Sequence, residues 1–488
     1  MTKYFNFASD RRVHALLCCS AAVLLSACGG GTTDTGNAQP TQTAATAFHS
    51  DTNKAAATVV ATDSSTAVTD QASAAPASDA PADDTRLLAT SAAVGAPTAT
   101  SDNLDLAGNT PTQALAVTPD ATAICNYYIA PTGSDSGAGT LASPWKTVNY
   151  ASAKLSAGKT LCARGGTYYK QAGNIWHSSG TATAPVTFKN YPGEKPVFDG
   201  EWGDTGTSGD FIIFSGNSHV VVDGITAQRY ADQYGNGTID LHNGLGPVDD
   251  IIIQNSTFID NGSHTAQDHH IYLATGTTNV TIRNNLFIRG AGSAIQAYHS
   301  PASNGIKIYN NVMIGGTLKC SASRTNYCSP TARQHWGMII GDAKGTQIYN
   351  NTIYGMDYGI DFSYGTSTTG PYVVKNNLIV NSTSAGIRVA SAYAPYFTSD
   401  YNGFSGNASD INWKGANVSA AQFAVTTTNE RHAVKANPMF VNAAASDFHL
   451  AAGSPMIDKA TAMTLFNTDK DGVLRPRGLA FDIGAYEK

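Results

Sequence analysis

The chain has 488 residues, of which 42% are hydrophobic and 14% are charged, and its formal net charge is −6 at pH 7. It is long enough to bury a large core, and its charged fraction lies well below the roughly 25% usual for soluble domains. A slightly acidic balance without a long Lys/Arg block excludes nucleic acid as the expected partner. Charges on a predicted strand face therefore stand out as candidates for function.

Residues 1–28 have the layout of an export signal, because basic residues precede an apolar run at 15–25 that is too short to span a bilayer as a mature helix. The sequence LSAC at 25–28 resembles the lipobox of bacterial lipoproteins. That resemblance implies cleavage before Cys28 and lipidation of its thiol, and Gly29 implies sorting to the outer membrane. An ordinary secretory signal is the alternative. We expect a protein of the cell envelope, either an outer-membrane lipoprotein or secreted.

Residues 29–123 consist mainly of Ala, Thr, Ser, Asp and Pro, with few aromatic residues and no amphipathic period. Such a segment buries too little apolar surface to offset its chain entropy, which predicts a disordered tether. The membrane contact is then made by the lipid anchor only. The folded part is expected over 124–488.

Four of the seven cysteines lie in this folded part: Cys125, Cys162, Cys320 and Cys328. An even number in an exported protein predicts two disulfides. Cys320 with Cys328 would close the loop SASRTNY, and Cys125 with Cys162 would tie the opening strand to the first turn of the fold. A metal site is the alternative, although none of the four lies in a CxxC pair.

A phrase of two short strands around an Asn corner recurs along the chain. Its copies centre on Asn255, Asn285, Asn311, Asn351 and Asn377, which gives steps of 30, 26, 40 and 26 residues by subtraction. These steps are too short for a βαβ unit and typical of one turn of a coiled parallel sheet. At the start, Ser143-Pro144 predicts a short helix with Trp145, Val148 and Leu155 on one side, which would cap the open N-terminal end.

The opening at 126–169, the Asn phrases and the ending from Phe448 together resemble right-handed parallel β-helix proteins of the pectate-lyase-like superfamily. The resemblance covers roughly 124–488 and implies an all-β, single-stranded solenoid with a C-terminal cap from about residue 430. It also implies that the Asn pairs stack as a structural ladder in one corner. The superfamily includes polysaccharide lyases, glycoside hydrolases, uronate epimerases and binding proteins, so the resemblance does not choose a reaction.

A second set of strands lies between the Asn phrases, and we align it on Ile239, Ile271, Ile295, Ile339, Ile360 and Ile387 as inward residues. Period two then predicts an outward column of Asp240, Tyr272, Gln296, Ile340, Asp361 and Arg388. A flanking column contains His242, Ala274, Tyr298, Asp342, Ser363 and Ala390. Turns about 4.8 Å apart would let a sugar polymer lie across this face.

A β-elimination at a uronic acid needs a base, an acid for the leaving oxygen and a partner for the carboxylate. We predict His270 as base, Tyr272 as acid, and Gln296 and Arg388 on the carboxylate, with His299 as a spare candidate. Asp240, His242 and Tyr298 are candidate substrate contacts. The superfamily's calcium-dependent lyases use a Lys or Arg base, and the absence of Lys from these columns favours His/Tyr chemistry or C5 epimerisation. A plain polar strand is the alternative for His270.

Asp342 and Asp361 form a second candidate pair, because a separation of about 8 Å between them suits an inverting glycoside hydrolase. The same carboxylates could hold Ca²⁺, or could be merely solvated. In the insertion at 317–335, Arg333 and His335 could grip an anionic polymer.

The leading hypothesis is a monomeric polysaccharide lyase acting on an acidic polysaccharide, with no required cofactor or with Ca²⁺. An inverting hydrolase, a uronate C5-epimerase and a non-catalytic glycan-binding module stay open as alternatives.

Overall fold

The computed structural model describes residues 125–169, 171–203, 209–231, 237–242, 244–263, 267–298, 303–320, 328–365 and 369–488. The predicted signal at 1–28 with Cys28, the tether at 29–123 and the candidate His299 lie outside these residues. Within the part of the chain that is described, no helix has the length and apolar character needed to cross a membrane.

Most strands belong to three sheets, which the chain visits in the order sheet 1, sheet 3, sheet 2 within each turn. Sheet 1 consists of Tyr127–Ile129, Thr160–Ala163, Val186–Asn190, Ser218–Asp223, Val248–Gln254, Thr281–Arg283, Lys307–Tyr309, Thr346–Tyr349, Tyr372–Lys375 and Phe397–Asp400, with Thr277–Thr278 beside Val248–Gln254. Sheet 2 consists of Asn174–Ile175, Ile212–Phe214, Gly237–Leu241, His269–Leu273, Gly292–Ala297, Gln334–Ile340, Tyr358–Phe362, Ala385–Val389, Ile411–Trp413 and Ala416–Val418. Sheet 3 consists of Gly166–Tyr169, Pro196–Asp199, Thr226–Gln228, Thr257–Asn261, Leu286–Gly290, Val312–Ile314, Thr352–Tyr354, Leu378–Val380, Gly403–Ser405 and Val434–Lys435.

Each strand pairs in parallel with the strands one turn before and one turn after it, so the chain winds into a parallel β-helix. The final pair of sheet 2, Ile411–Trp413 with Ala416–Val418, is antiparallel. Helices are short: Val148–Ser152 and Ala420–Thr426 are α-helical, and Glu201–Gly203, Ala394–Tyr396 and Ala443–Ala445 are 3₁₀. A small antiparallel sheet joins Phe440–Asn442 to Asp447–Leu450.

Columns of apolar side chains fill the inside of the coil. In sheet 2, Ile239 pairs with Ile271 and Ile271 with Ile295, and all three are fully buried. The column continues through Met338, Ile360 and Ile387. Burial of one such side chain stabilises the fold by roughly 1.5–3 kcal/mol, so these columns hold the turns together.

The corner between sheets 1 and 3 contains the predicted asparagine ladder. The Oδ1 atom of each ladder residue accepts a backbone N–H from the turn before it at 2.9–3.0 Å, through Asn285, Asn311, Asn351, Asn377 and Asn402. The Asn before each of the first four takes a positive φ, which asparagine tolerates better than most residues. Gln254 pairs with Arg283, so Asn255 aligns with Asn284 and the ladder begins at Ser256. The predicted match of Asn255 to Asn285 is wrong by one residue.

The N-terminal helix begins later than predicted. Thr147 caps it by accepting a hydrogen bond from the Tyr150 N–H, while Trp145 forms a β-bridge with Ile129. The Thr147 hydroxyl satisfies one of the free N–H groups in the first turn of the helix. Trp145, Val148 and Leu155 all lie in the main core, but only Val148 belongs to the helix, so they do not form the predicted helical side.

The C-terminal segment packs along the side of the coil. The Asn350 amide donates to the carbonyl groups of Asp482 and Gly484, and Ile483 is buried against Leu378 of sheet 3. The helix Ala420–Thr426, with Phe423 buried in the main core, follows the last turn of sheet 2. Part of the segment predicted as a cap from about residue 430 therefore lies against the outer face of sheet 3.

Both predicted disulfides are confirmed. Cys125 is bonded to Cys162 and Cys320 to Cys328, with Cα separations of 5.6 and 5.7 Å. The first links the opening strand of sheet 1 to its neighbour.

Candidate functional site

The outer face of sheet 2 carries a column of side chains, one from each turn. Successive register partners are Asp240, Tyr272, Gln296, Ile339, Asp361 and Arg388. Turns of parallel strands are about 4.8 Å apart, so this column spans roughly 24 Å along the axis of the coil. The predicted column is present except in the turn that contains Ile339.

In the strand Gln334–Ile340 the predicted register is wrong by one residue. Met338 faces Ile295 and Ile360 inside the coil, and Ile340 is fully buried instead of pointing outward. The Gly341 N–H donates to the Ala297 carbonyl group at 2.6 Å, so Gly341 takes the place predicted for Asp342. Three consecutive apolar residues, 338–340, carry no alternation from which this register can be read.

His270 points into the coil, and its predicted outward position is wrong. Its side chain is 1% exposed, and its ring centroid lies 6.1 Å from that of Phe258 and 5.6 Å from that of Phe287. The adjacent Ile271 is also fully buried, so the alternation breaks where the chain enters sheet 2. Burial lowers the pKa of His270 to about 3. A buried imidazole at this position cannot reach a polymer on the outer face.

His269 and Tyr272 form a stacked pair on that outer face. Their ring centroids are 5.2 Å apart, and His269 Nδ1 lies 2.9 Å from Ser293 Oγ. Burial, and secondarily the neighbouring His270, lowers the pKa of His269 to about 3, so this ring is neutral. Burial, with the nearby charge of Asp240, raises the pKa of the partly exposed Tyr272 to about 12. Tyr272 therefore keeps its phenolic proton at neutral pH and can donate it.

Asp240 and His242 form a carboxylate–imidazole pair one turn before Tyr272. Asp240 Oδ2 lies 3.3 Å from His242 Nδ1, and the His242 side chain is 36% exposed. The hydrogen bond that His242 donates to Asp240 raises the pKa of His242. Since Nδ1 faces Asp240, Nε2 is the atom that can accept a proton from a ligand. The register partner of His242 in the next turn is Ala274, and Gly244 lies beside the Nε2 edge of the ring, where a Cβ would approach within 3.2 Å.

A cluster of aromatic rings occupies the same face in later turns. The aromatic cluster consists of Tyr298, Trp336, Tyr358 and Tyr364, all of which are partly exposed. Trp336 and Tyr358 are register partners with rings 6.4 Å apart and nearly parallel. Tyr364 stands edge-on to Trp336 at 6.1 Å and to Tyr298 at 5.9 Å.

Of this cluster, only Tyr298 is predicted from the sequence. Trp336 and Tyr358 each lie two residues before an inward residue of their strand, the position that His269 takes in its own turn. This spacing is the signal that could have found them.

Asp361 lies beneath the aromatic cluster and is fully buried. Its carboxylate accepts the Trp336 indole N–H at 3.0 Å and the Arg388 Nε–H at 2.9 Å, and Arg388 Nη2 completes the ion pair. Arg388 in turn lies over the Tyr358 ring at 4.0 Å. A carboxylate held by these donors is a brace for its neighbours and is not free to act as a general acid or base.

Asp342 is not arranged as the partner of Asp361. It has a φ of +62°, and its backbone N–H donates to the Tyr393 hydroxyl at 3.1 Å. Its carboxylate lies so close to Gly365 that a Cβ there would approach within 2.6 Å. It follows Ile339, the register partner of Asp361, by three residues instead of the predicted two. The geometry therefore does not support the predicted hydrolase pair.

The same two residues do not fit a calcium site. Asp361 already accepts three donors, and the described residues contain no group of three or more His, Cys, Asp or Glu side chains that could hold a metal ion. Ca²⁺ prefers six to eight oxygen ligands. Asp342 and Asp361 are therefore not assigned as metal ligands.

Arg333 and His335 share one acidic partner at the edge of the aromatic cluster. Arg333 Nη2 and His335 Nδ1 each lie 2.6 Å from an oxygen of Asp357. The His335 ring lies 5.4 Å from that of Trp336, so the pair flanks the cluster. Asp357 offsets the charge of Arg333, which weakens the predicted grip on an anion.

Of the two residues predicted to bind the uronate carboxylate, one lies near Tyr272 and the other lies far from it. Arg388 lies four turns from Tyr272, or about 19 Å. Gln296 lies one turn from Tyr272, in the same column. A sugar in contact with Tyr272 is therefore within reach of Gln296 but not of Arg388.

Comparison with known proteins places the first half of the β-helix in a described class. Residues 127–290 match the family model "Pel9A-like, right handed beta helix region". The matched segment contains Asp240, His242, His269 and Tyr272. Together with the three parallel sheets, this match confirms the predicted fold, a right-handed parallel β-helix.

Two curated proteins share short stretches with the chain. Pectate lyase PEL9 of Emericella nidulans is 40% identical over 76 residues, which is 16% of this chain and 18% of that protein. Uncharacterized protein YwoF of Bacillus subtilis is 43% identical over 74 residues, which is 15% of each protein. The chain thus spans less than a fifth of the length of these relatives.

Solved structures resemble the chain at low identity. Pectate lyase Pel9A aligns at 14% identity and a TM-score of 0.47, covering 74% of this chain and 96% of that chain. A rhamnogalacturonan lyase aligns at 13% identity and a TM-score of 0.38, covering 64% and 84%.

Proposed function

We propose that the protein is a polysaccharide-active enzyme that cleaves an acidic polysaccharide by β-elimination at a uronic acid. The observation that carries the proposal is the partly exposed Asp240–His242 pair one turn from the protonated Tyr272 on the outer face of sheet 2. The pair and Tyr272 also lie within 127–290, the segment that matches the Pel9A-like model.

In this proposal His242 replaces His270 as the base. Its Nε2 removes the C5 proton, and the electron pair left on C5 forms the C4–C5 double bond as the bond from C4 to the leaving oxygen breaks. The Tyr272 hydroxyl supplies the proton to that oxygen. The Gln296 amide, one turn further, donates to the uronate carboxylate as negative charge develops there.

The Asp240–His242 pair gives the base a fixed orientation. A carboxylate at Nδ1 holds the imidazole in the tautomer whose Nε2 is unprotonated, and stabilises the imidazolium formed after proton transfer. Tyr272, with its pKa raised to about 12, remains protonated in the same pH range. Two groups with separated pKa values then supply the base and the acid.

The test is an assay of the purified protein on alginate, pectate and bacterial exopolysaccharides, followed by the ultraviolet absorbance of unsaturated uronates. We expect new absorbance on at least one acidic polymer, with His242→Asn slower by roughly 10²–10⁴-fold, the usual contribution of a general base. His219→Asn is the matched control, because His219 pairs with Asp250 at 2.7 Å on sheet 1, away from the proposed site.

Other outcomes would redirect the proposal. New reducing ends without absorbance indicate a hydrolase, and inverted C5 configuration without cleavage, seen by NMR, indicates an epimerase. Full activity of His242→Asn would show that another residue is the base. Binding without any turnover on all substrates would favour a glycan-binding module.

We further propose that the enzyme works outside the cytoplasm, anchored through Cys28. The two disulfides support export, because such bonds persist mainly in oxidising compartments.

A further inference from the structure

We infer that Trp336, Tyr358, Tyr364 and Arg388 form a remote sugar-binding subsite that holds a uronic acid unit of the same polymer about 19 Å from Tyr272. The inference rests on the proposed function for the identity of the polymer. It adds a place where a distant unit of the chain is recognised and the residues that recognise it.

The subsite is preorganised by the buried Asp361. Asp361 is fully buried and holds Arg388 through Nε and Nη2, and it holds Trp336 through the indole N–H. These bonds fix an arginine and a tryptophan that would otherwise move freely at the surface. A preorganised pair loses less conformational entropy when a ligand binds.

Arg388 keeps a positive charge and part of its surface for contact with a ligand. Two nitrogens of the Arg388 guanidinium bond to Asp361, and Tyr364 is a further hydrogen-bond partner of the group. The Arg388 side chain is 22% exposed, so part of this cation is accessible to a ligand beside the aromatic rings. Burial lowers the pKa of Arg388, but the hydrogen bond and charge of Asp361 outweigh it and raise the value, so the group stays a cation.

The aromatic rings around Arg388 form a surface against which a sugar ring can pack. Tyr358 lies under the guanidinium, while Trp336 and Tyr364 meet at 82° and present a corner of aromatic surface. Aromatic surface packs against the C–H groups of a sugar ring, and a guanidinium beside it suits a carboxylate. The Asp361–Arg388 pair is neutral as a whole, so recognition depends on contact and not on long-range attraction.

The spacing sets the length of substrate that can reach both sites. With about one sugar unit per turn of 4.8 Å, a chain of roughly five units extends from Tyr272 to Arg388. Trimers therefore fill the region around Tyr272 alone, and hexamers fill both regions.

The test is a calorimetric titration with acidic trimers and hexamers of the polymer that the enzyme cleaves, or that it binds if no cleavage is found. A Tyr272→Phe background prevents turnover. We expect Arg388→Gln to weaken hexamer binding by roughly tenfold, equivalent to about 1.4 kcal/mol, and to leave trimer binding unchanged. Arg283→Gln on sheet 1 is the control, because Arg283 also bonds two side chains, Gln254 and Tyr309.

Loss of Arg388 leaves the buried Asp361 unpaired, which could unfold the protein. The double variant Asp361→Asn/Arg388→Gln removes both charges and keeps an acceptor for the Trp336 indole, and it should show the same loss for hexamers. Equal hexamer affinity in wild type and the double variant overturns the subsite, whether or not the enzyme is a lyase. Equal binding of a carboxyl-reduced hexamer overturns the assignment to an acidic sugar.

The two proposals fail separately. Length-dependent loss in the Arg388 variants without any turnover supports the subsite and rejects the lyase. Turnover that depends on His242, with unchanged hexamer affinity in the Arg388 variants, supports the lyase and rejects the subsite.

Discussion

His270 and His242 lie one turn apart, and burial gives them opposite chemistry. His270 is enclosed between Phe258 and Phe287, where the charged form is disfavoured. His242 stands at the surface beside Asp240, where the charged form is favoured. Of the two residues, only His242 can exchange a proton with a ligand on the outer face near neutral pH.

The pH dependence of the reaction should report the Asp240–His242 pair. A base acts in its neutral form, so kcat/KM should rise with pH through the raised pKa of His242. Asp240→Asn removes the charge that raises this pKa, and we expect the acidic limb to move to lower pH. Asp250→Asn, at the equivalent pair on sheet 1, should leave the profile unchanged. An acidic limb that does not move in Asp240→Asn would contradict the assignment.

At the scale of elements, the asparagine ladder ends on a buried acid. Asn402 Nδ2 donates to Glu430 Oε1 at 2.7 Å, and Glu430 is 2% exposed. Burial raises the pKa of Glu430 from 4.5 to about 7. The last step of the ladder therefore depends on pH, whereas the amide steps before it do not.

Glu430→Gln tests this dependence. Because the folded state binds the proton more tightly than the unfolded state, the free energy of unfolding should fall as pH rises from about 4.5 to about 7, by about 3 kcal/mol in all. The amide is neutral at every pH, so the variant should unfold at higher urea concentration than wild type at pH near 8 and lose that part of the slope. Parallel pH curves for the two proteins, measured by urea unfolding, would refute the argument.

At the scale of the whole molecule, attachment to a membrane is predicted from the first 28 residues and stays a prediction. If the thiol of Cys28 is lipidated, the protein expressed in a bacterial host should partition into the detergent phase of a phase-separating detergent, and Cys28→Ser should move it to the aqueous phase. Two acyl chains or more are enough for stable anchoring. Cys18→Ser and Cys19→Ser, within the signal, are matched controls that should partition as wild type does. Unchanged partition of Cys28→Ser would reject the anchor.

The fold and both disulfides follow from the local sequence pattern. Recurring strand–Asn–strand phrases at steps near one turn of a coil predict stacked parallel strands, because each short strand can only satisfy its backbone by pairing with the next copy. The even cysteine count and the loop between Cys320 and Cys328 predict both disulfides. These inferences need only local pattern, and local pattern was sufficient.

The site was decided by the tertiary structure. The alternation of inward and outward residues breaks at His270, so its side chain is buried in the core. In the apolar run 338–340 the inward residue is Met338 and not Ile339, so Asp342 does not lie in the predicted column. Asp361 became a brace because Trp336 and Arg388 come from the turns on either side of it. The direction of a side chain in a β-helix depends on where the chain bends between sheets and on contacts with residues about 25 positions away. The hydrophobic period of a single strand predicts neither of these.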